Sequence, residues 1–292
     1  MKALLISMLV LLLPMQASAQ HKLKVVASFS VLGDIVHQVA QNDADVQVLV
    51  GPNGNAHEYE PTTADARMIA DADIVFVNGL GFEGWMQRLI ASAGYKGRVV
   101  TVSAGVKPIT TLGHEDPHAW QDVANVKLYA ANIRDALAQT DMEHAADYTR
   151  NADAYIAQLE ALDTWVKAQI ASVPPQKRKV ISAHDAFGYF AAHYGVVFIA
   201  PLGMSAESQP SAADIARIID AVRKQDIRAV FLENMADTRL MEQIKQDSGA
   251  HLGGTLYSDA LSPPHGPAAD YLAMQRHNVA ELVAAMQENP GK

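Results

Sequence analysis

Along residues 143–172 the apolar positions Tyr148, Ala152, Tyr155, Leu159, Leu162, Val166 and Ile170 recur at steps of three and four, with no Gly or Pro in the stretch. The pattern predicts one unbroken helix over 143–172, roughly 45 Å long at 1.5 Å per residue. Asp141 is expected to cap its first free N–H groups, and Pro174-Pro175 ends it. Such a rod is longer than a small domain is wide, so it reads as a stiff connector between two halves of the chain.

Each half alternates short apolar, β-branched runs with helical spacing. In the first half, strands are predicted over 24–28, 45–50, 74–78 and 99–102, and helices over 31–40, 63–70, 85–91 and 123–138. In the second, strands are predicted over 179–182, 196–200, 229–232 and 251–257. Helices are predicted there over 186–194, 212–225 (opened by Pro210-Ser211), 240–248 and 270–286. Strand–helix alternation at this spacing implies crossover units and parallel sheets. The expected fold is therefore α/β, with two Rossmann-like lobes joined by the connecting helix and a ligand site in the cleft between them. The corresponding boundaries are 20–142 for the first lobe, 143–172 for the connector and 173–292 for the second lobe.

Residues 1–19 stand apart. Lys2, an apolar run from Ala3 to Leu13 and the small-x-small sequence Ala17-Ser18-Ala19 form a secretory signal peptide, with cleavage expected before Gln20. The run is well short of the ~20 residues that span a bilayer, which argues against a membrane anchor. Removing 19 of 292 residues leaves 273, enough for two ordinary domains. The formal charge of −9 becomes −10 without Lys2, which disfavours nucleic acid and anionic membranes and mildly favours a cation. With no cysteine in the sequence, a metal must be held by N and O ligands, and lipid attachment through an N-terminal cysteine is excluded. The expected compartment is a bacterial periplasm.

In open parallel sheets, ligands bind beyond the carboxyl ends of the strands. His57, His118, His184 and Asp259 all fall in loops after predicted strands, two on each side of the connector. Three imidazoles and a carboxylate suit a borderline divalent ion, zinc above all. Their separations, each above sixty residues, match no compact metal motif, so placement at strand ends carries the inference.

The segments His57-Glu58-Tyr59-Glu60-Pro61, Asp116-Pro117-His118-Ala119-Trp120, Ser182 to Phe190 and Tyr257-Ser258-Asp259-Ala260-Leu261 resemble those of the metal-binding proteins of ATP-driven zinc and manganese importers. The resemblance runs from about Lys24 to Glu288. It implies a periplasmic solute-binding protein, not an enzyme, that captures Zn²⁺ with His57, His118, His184 and Asp259 and delivers it to an ABC-transporter permease. In that family the third ligand is typically His in zinc proteins and Glu in manganese proteins, and here it is His184. Two features depart from the pattern. The long His- and Asp-rich loop before the second ligand is reduced to Gly113-His114-Glu115-Asp116, and Val123 stands where Pro is often found. His114 and Glu115 remain candidates for a weak docking point on the way in.

Other residues have blander expectations. His37, His144, His193 and His277 lie in predicted helices, His21 at the new N-terminus and His251 at a strand start. His265 is a loop residue or an auxiliary contact. Asp185 and Glu233 are candidates to orient ligand imidazoles, and Trp120, Phe187, Tyr189 and Phe190 to exclude water. A manganese or iron carrier is the alternative within the class. A zinc-dependent hydrolase with Asp259 or Glu58 as base is the rival outside it, although neither a HExxH helix nor a Gly-x-Ser-x-Gly elbow is present. The expected partners are the inner-membrane permease and, as a candidate loader, a periplasmic metallochaperone. No nucleic acid and no membrane anchor are expected, and the protein is expected to be monomeric.

Overall fold

The computed structural model describes residues 22–290, apart from 112, 202, 204–210 and 226. The signal-peptide assignment, His21 and Pro210 lie outside the described residues.

The described residues begin with β1 (Leu23–Phe29), α1 (Ser30–Ala40), β2 (Ala44–Val50), α2 (Thr63–Ala70), β3 (Ile74–Val77), α3 (Met86–Ala93) and β4 (Arg98–Thr101). A two-stranded hairpin follows, β5 (Thr110–Thr111) with β6 (His114–Glu115). Helices α4 (Val123–Thr140) and α5 (Ala145–Ala171) come next. The second half is β7 (Lys179–Ile181), α6 (Gly188–Tyr194), β8 (Val197–Ile199), α7 (Ala212–Gln225), β9 (Ala229–Glu233), α8 (Arg239–Ser248), β10 (His251–Leu256) and α9 (Tyr271–Glu288). β1–β4 form a parallel sheet in the order β2-β1-β3-β4, and β7–β10 form another in the order β10-β9-β7-β8. Read from the other edge, the second order is that of the first, so two α/β lobes repeat one topology.

Helix α5 buries Tyr148, Ala152, Tyr155, Leu159, Leu162, Val166 and Ile170 along one stripe. This is the set read from the sequence, because a 3.6-residue period keeps those positions on one face. They join one core that also takes in α1, α4, α9, the first sheet and one face of the second sheet. A smaller, separate cluster lies on the other face of the second sheet, where Ile181 and Val230 meet Ile218 and Val222 of α7 and Met241 and Ile244 of α8. Side-chain caps fix the starts of several helices. Thr62 and Asp65 form a reciprocal capping box on α2, Asp122 caps α4 and Asp270 caps α9.

Asp141 does not cap α5. Its Oδ2 instead lies 2.7 Å from His144 Nδ1 and accepts from the Tyr148 hydroxyl at 2.9 Å, while the cap position is held by His144 without a side-chain bond to the helix. The lobes are also stitched together away from the connector. The hydroxyl of Ser30 at the start of α1 accepts from Leu261 N at 2.9 Å, and Asp34 Oδ2 accepts from Tyr271 N at 2.8 Å. Among the described residues no helix is long and apolar enough to cross a membrane.

Candidate metal centre

Each of the four converging side chains is held by its own local device. His57 follows β2 in a loop where Asn55 Oδ1 accepts from the N–H groups of His57 and Glu58, and Trp85 Nε1 donates to the Ala56 carbonyl at 2.7 Å. His118 follows the hairpin. Asp116 Oδ1 accepts from its backbone N–H at 2.9 Å and lies 2.8 Å from its Nδ1, and Asn78 Nδ2 donates to the Pro117 carbonyl. His184 sits beyond β7, where Glu233 Oε1 accepts from Ala183 N and His184 N. Glu233 Oε2 stands 2.7 Å from His184 Nδ1, an ion-pair contact bent away from a straight hydrogen bond. Asp259 follows β10, past Tyr257, whose N–H and C=O are both bonded by the side chain of Asn278.

With Nδ1 of His118 and of His184 turned to carboxylates, their Nε2 atoms face the cleft. There His57 Nε2 and His118 Nε2 are 3.2 Å apart, and Asp259 Oδ2 lies 3.3 Å from His57 Nε2 and 3.2 Å from His184 Nε2. Asp259 Oδ1 is 3.6 Å from His118 Nε2, and all four ligand atoms fall within 4.8 Å of one another. For N and O ligands about 2.0–2.1 Å from a tetrahedral ion, ligand atoms would stand about 3.3 Å apart, which is the scale seen here. His118, His184 and Asp259 are fully buried and His57 nearly so. Both Asp259 oxygens and His184 Nε2 are buried without a hydrogen-bond partner, an arrangement that costs energy unless something cationic sits among them.

The electrostatics agree. Desolvation alone would lower the His184 pKa, but the charges of Glu233 and Asp259 outweigh it and hold the imidazole well above its ordinary value. Burial likewise works to raise Asp259, and the charges of His184 and His118 overcome it and hold the carboxyl well below the usual range.

Aromatic rings close the site on the first-lobe side. Phe82 packs edge-on against His57 with centroids 4.7 Å apart and against Trp120 at 4.8 Å, while Trp120 meets His118 at 5.3 Å. Phe82 is delivered by three successive left-handed residues, Gly79, Leu80 and Gly81, and at Leu80 that conformation costs about 1–2 kcal/mol. Gly188, at the start of α6, lies against Asp116 Oδ2 so closely that any side chain would strike it, which explains glycine there.

Several expectations need correction. Phe187 stacks on Phe198, and Phe190 packs on Tyr194 and Phe198, within the core that the second lobe shares with the first. Tyr189 instead donates to the Asp116 carbonyl and accepts from Ile109 N, bracing the hairpin. Asp185 bonds to no imidazole among the described residues. Burial and repulsion from Asp116 raise its pKa, with His118 and His184 pulling it down only from a distance. The carboxylate that holds His118 is Asp116, two residues before it, and the Asp-Pro-His sequence was the available signal. Glu58, His114, Glu115 and His265 are exposed and outside the converging cluster, and Glu58 accepts from Asn55. His251 is exposed and 3.2 Å from Glu288, and Glu60 is exposed.

The family described as "Zinc-uptake complex component A periplasmic" matches residues 25–285. The chain belongs to this family. It is 34% identical to the manganese-binding lipoprotein MntA of Halalkalibacterium halodurans over 91% of this chain and 89% of that one. It is 32% identical to the iron-binding protein YfeA of Yersinia pestis over 87% of this chain and 83% of that one. Among solved structures, the periplasmic zinc-binding protein TroA of Treponema pallidum superposes with a TM-score of 0.88 at 28% identity, covering 91% of this chain and 99% of that chain. The family consists of metal-binding solute-binding proteins of ABC importers, not enzymes. Such proteins work outside the cytoplasm with a membrane permease and its ATPase.

Proposed function

We propose that this protein captures Zn²⁺ in the periplasm with His57, His118, His184 and Asp259 and passes it to its permease. The observation that carries this reading is the set of buried ligand atoms aimed at one point, with both oxygens of Asp259 and Nε2 of His184 left without hydrogen-bond partners. Three imidazoles favour zinc over manganese, which is the weakest binder of its row and prefers carboxylate oxygen. Residues 1–19 act as the export signal, residues 20–142 and 173–292 as the lobes, and the mature protein as a monomer. A metallochaperone is a candidate loader.

A manganese or iron cargo is the second reading, and one feature favours it. Asp259 presents Oδ2 to His57 and His184 and Oδ1 to His118, so it can bind through both oxygens and extend the coordination beyond four. Relatives at 34% and 32% identity are named for manganese and iron. The deciding test is metal stoichiometry and zinc–manganese competition on chelator-stripped protein, alongside His184→Ala. One zinc that manganese does not displace, and that the variant loses, is the expected result. Preferential binding of manganese assigns the second cargo, and zinc binding indifferent to His184 removes this site from consideration.

A further inference from the structure

Ser258 precedes Asp259 and is fully buried. Its two polar groups face opposite lobes. The carbonyl oxygen accepts from Trp120 Nε1 at 2.8 Å and from Gln121 Nε2 at 2.7 Å. Both donors belong to the 3₁₀ turn Ala119–Gln121 that directly follows His118 in the first lobe. The hydroxyl donates to Glu233 Oε2 at 2.5 Å, the same oxygen that stands 2.7 Å from His184 Nδ1. A continuous path therefore runs from the His118 turn through Ser258 to Glu233 and His184, with Asp259 one peptide away.

We infer that Ser258 is a positioning residue that couples the ligands of the two lobes, so that metal held by His118 and Asp259 is retained only while Glu233 keeps His184 in place. Of the three hydrogen bonds given to the Glu233 carboxylate among the described residues, those from Ala183 N and His184 N fix Oε1. Among the described residues Oε2 has the hydrogen bond from Ser258 Oγ and the ion-pair contact with His184 Nδ1. Without the hydroxyl, the carboxylate can turn about its terminal bond and His184 loses its fixed orientation. Coupled polar networks of this kind show non-additive responses when two members are changed. The inference rests on the metal-capture reading above.

The test is stopped-flow and equilibrium binding of zinc, and separately manganese, to the full mature chain as wild type, Ser258→Ala, Glu233→Gln and the double variant. Ser258→Ala keeps the backbone carbonyl and so keeps the ties to Trp120 and Gln121. It is expected to weaken metal binding about 10-fold, the lower end of the usual effect of residues that orient ligands. The loss should appear as faster dissociation with an unchanged association rate. In the Glu233→Gln background the serine change should add less than about threefold, because the path is already broken. Should Ser258→Ala fail to fold, Gln121→Met removes one donor to the carbonyl from the other side and should also speed dissociation. Wild type that binds neither metal overturns the capture reading itself. Wild type that binds, with additive variants or with an effect on thermal stability alone, overturns this inference and leaves the capture reading standing.

Discussion

The two lobes share a strand order, and each ties its strand ends together with one buried glutamate, yet the two glutamates do different work. Glu83 of the first lobe accepts from Ser28 Oγ and Asn78 N through one oxygen and from Gly79 N through the other. Among the described residues it bonds to no imidazole of the site, and its burial pushes its pKa up in spite of those bonds. Glu233 of the second lobe gathers the backbone of Ala183 and His184 and the hydroxyl of Ser258, and it also meets a ligand ring. The lobes differ in packing as well. The first lobe, the connector and α9 share one core, whereas the outer layer of the second lobe rests on its own smaller cluster. In the first lobe the strand-end glutamate and the carboxylate beside the site imidazole are separate residues, Glu83 and Asp116, whereas in the second Glu233 is both.

The largest expected effect tests the charge side of this contrast. Among the described residues Asp259 is the one carboxylate that faces all three imidazoles, so Asp259→Ala removes the charge they share and leaves His118 and His184 only their Nδ1 partners, Asp116 and Glu233. It should cost about three orders of magnitude in metal affinity, on the scale of breaking a buried charge pair. His57→Ala, at the more open margin, should cost at least tenfold less in competition calorimetry. Equal losses would erase the difference between the lobes.

Packing gives the next effect. Leu159→Ala in the shared core should destabilise the whole protein by about 2–5 kcal/mol, seen as a lower midpoint of its denaturant unfolding. Ile218→Ala in the outer cluster should instead speed amide exchange in α7, β9 and α8 before the global midpoint moves. If both variants shift only the global transition, the outer layer is not a separate unit.

The glutamates sharpen the comparison further. Glu233→Gln should lower metal affinity about 10–100-fold. Glu83→Gln places an amide donor among backbone donors and should cost about 1–3 kcal/mol of stability while leaving the affinity of the folded protein within about threefold.

The smallest effect per step is that of pH. His184 is held protonated above the ordinary histidine range when no metal is bound, so its proton competes with the metal. Below that raised pKa, affinity should fall about tenfold for each pH unit, and binding should release a proton measurable as buffer-dependent heat. The sign for stability is the reverse. The protonated His184 contributes to the metal-free fold fully below its unfolded value, and the contribution is lost as pH rises through the folded one. Affinity flat between pH 7.5 and pH 5 would remove His184 from the site.

Much of the fold was legible because its signals are local. The seven-residue stripe of α5, the strand order of turns and runs, and the span Thr63–Ala70 follow from periodicity that neighbouring residues impose on one another. That His57, His184 and Asp259 follow strands of the parallel sheets was likewise readable, since such sheets send these loops to one side, whereas His118 follows the β5–β6 hairpin. What escaped depends on contacts through space. Phe82 reaches His57 only because of a run of left-handed residues, and Ser258 looks like any loop serine until two lobes are placed against it. The partner of Phe187 and Phe190, Phe198 of β8, is likewise a contact that only the folded chain reveals.

The stitches from Ser30 to Leu261 and from Asp34 to Tyr271 have a consequence in time. Those bonds join residues 231 and 237 positions apart, so the first helix of the chain is completed by one of the last segments to be made. Chain entropy must be lost across almost the whole sequence before these contacts return anything. The first lobe emerging from synthesis therefore lacks part of its own cover, and folding to the native state waits for the final helix to arrive.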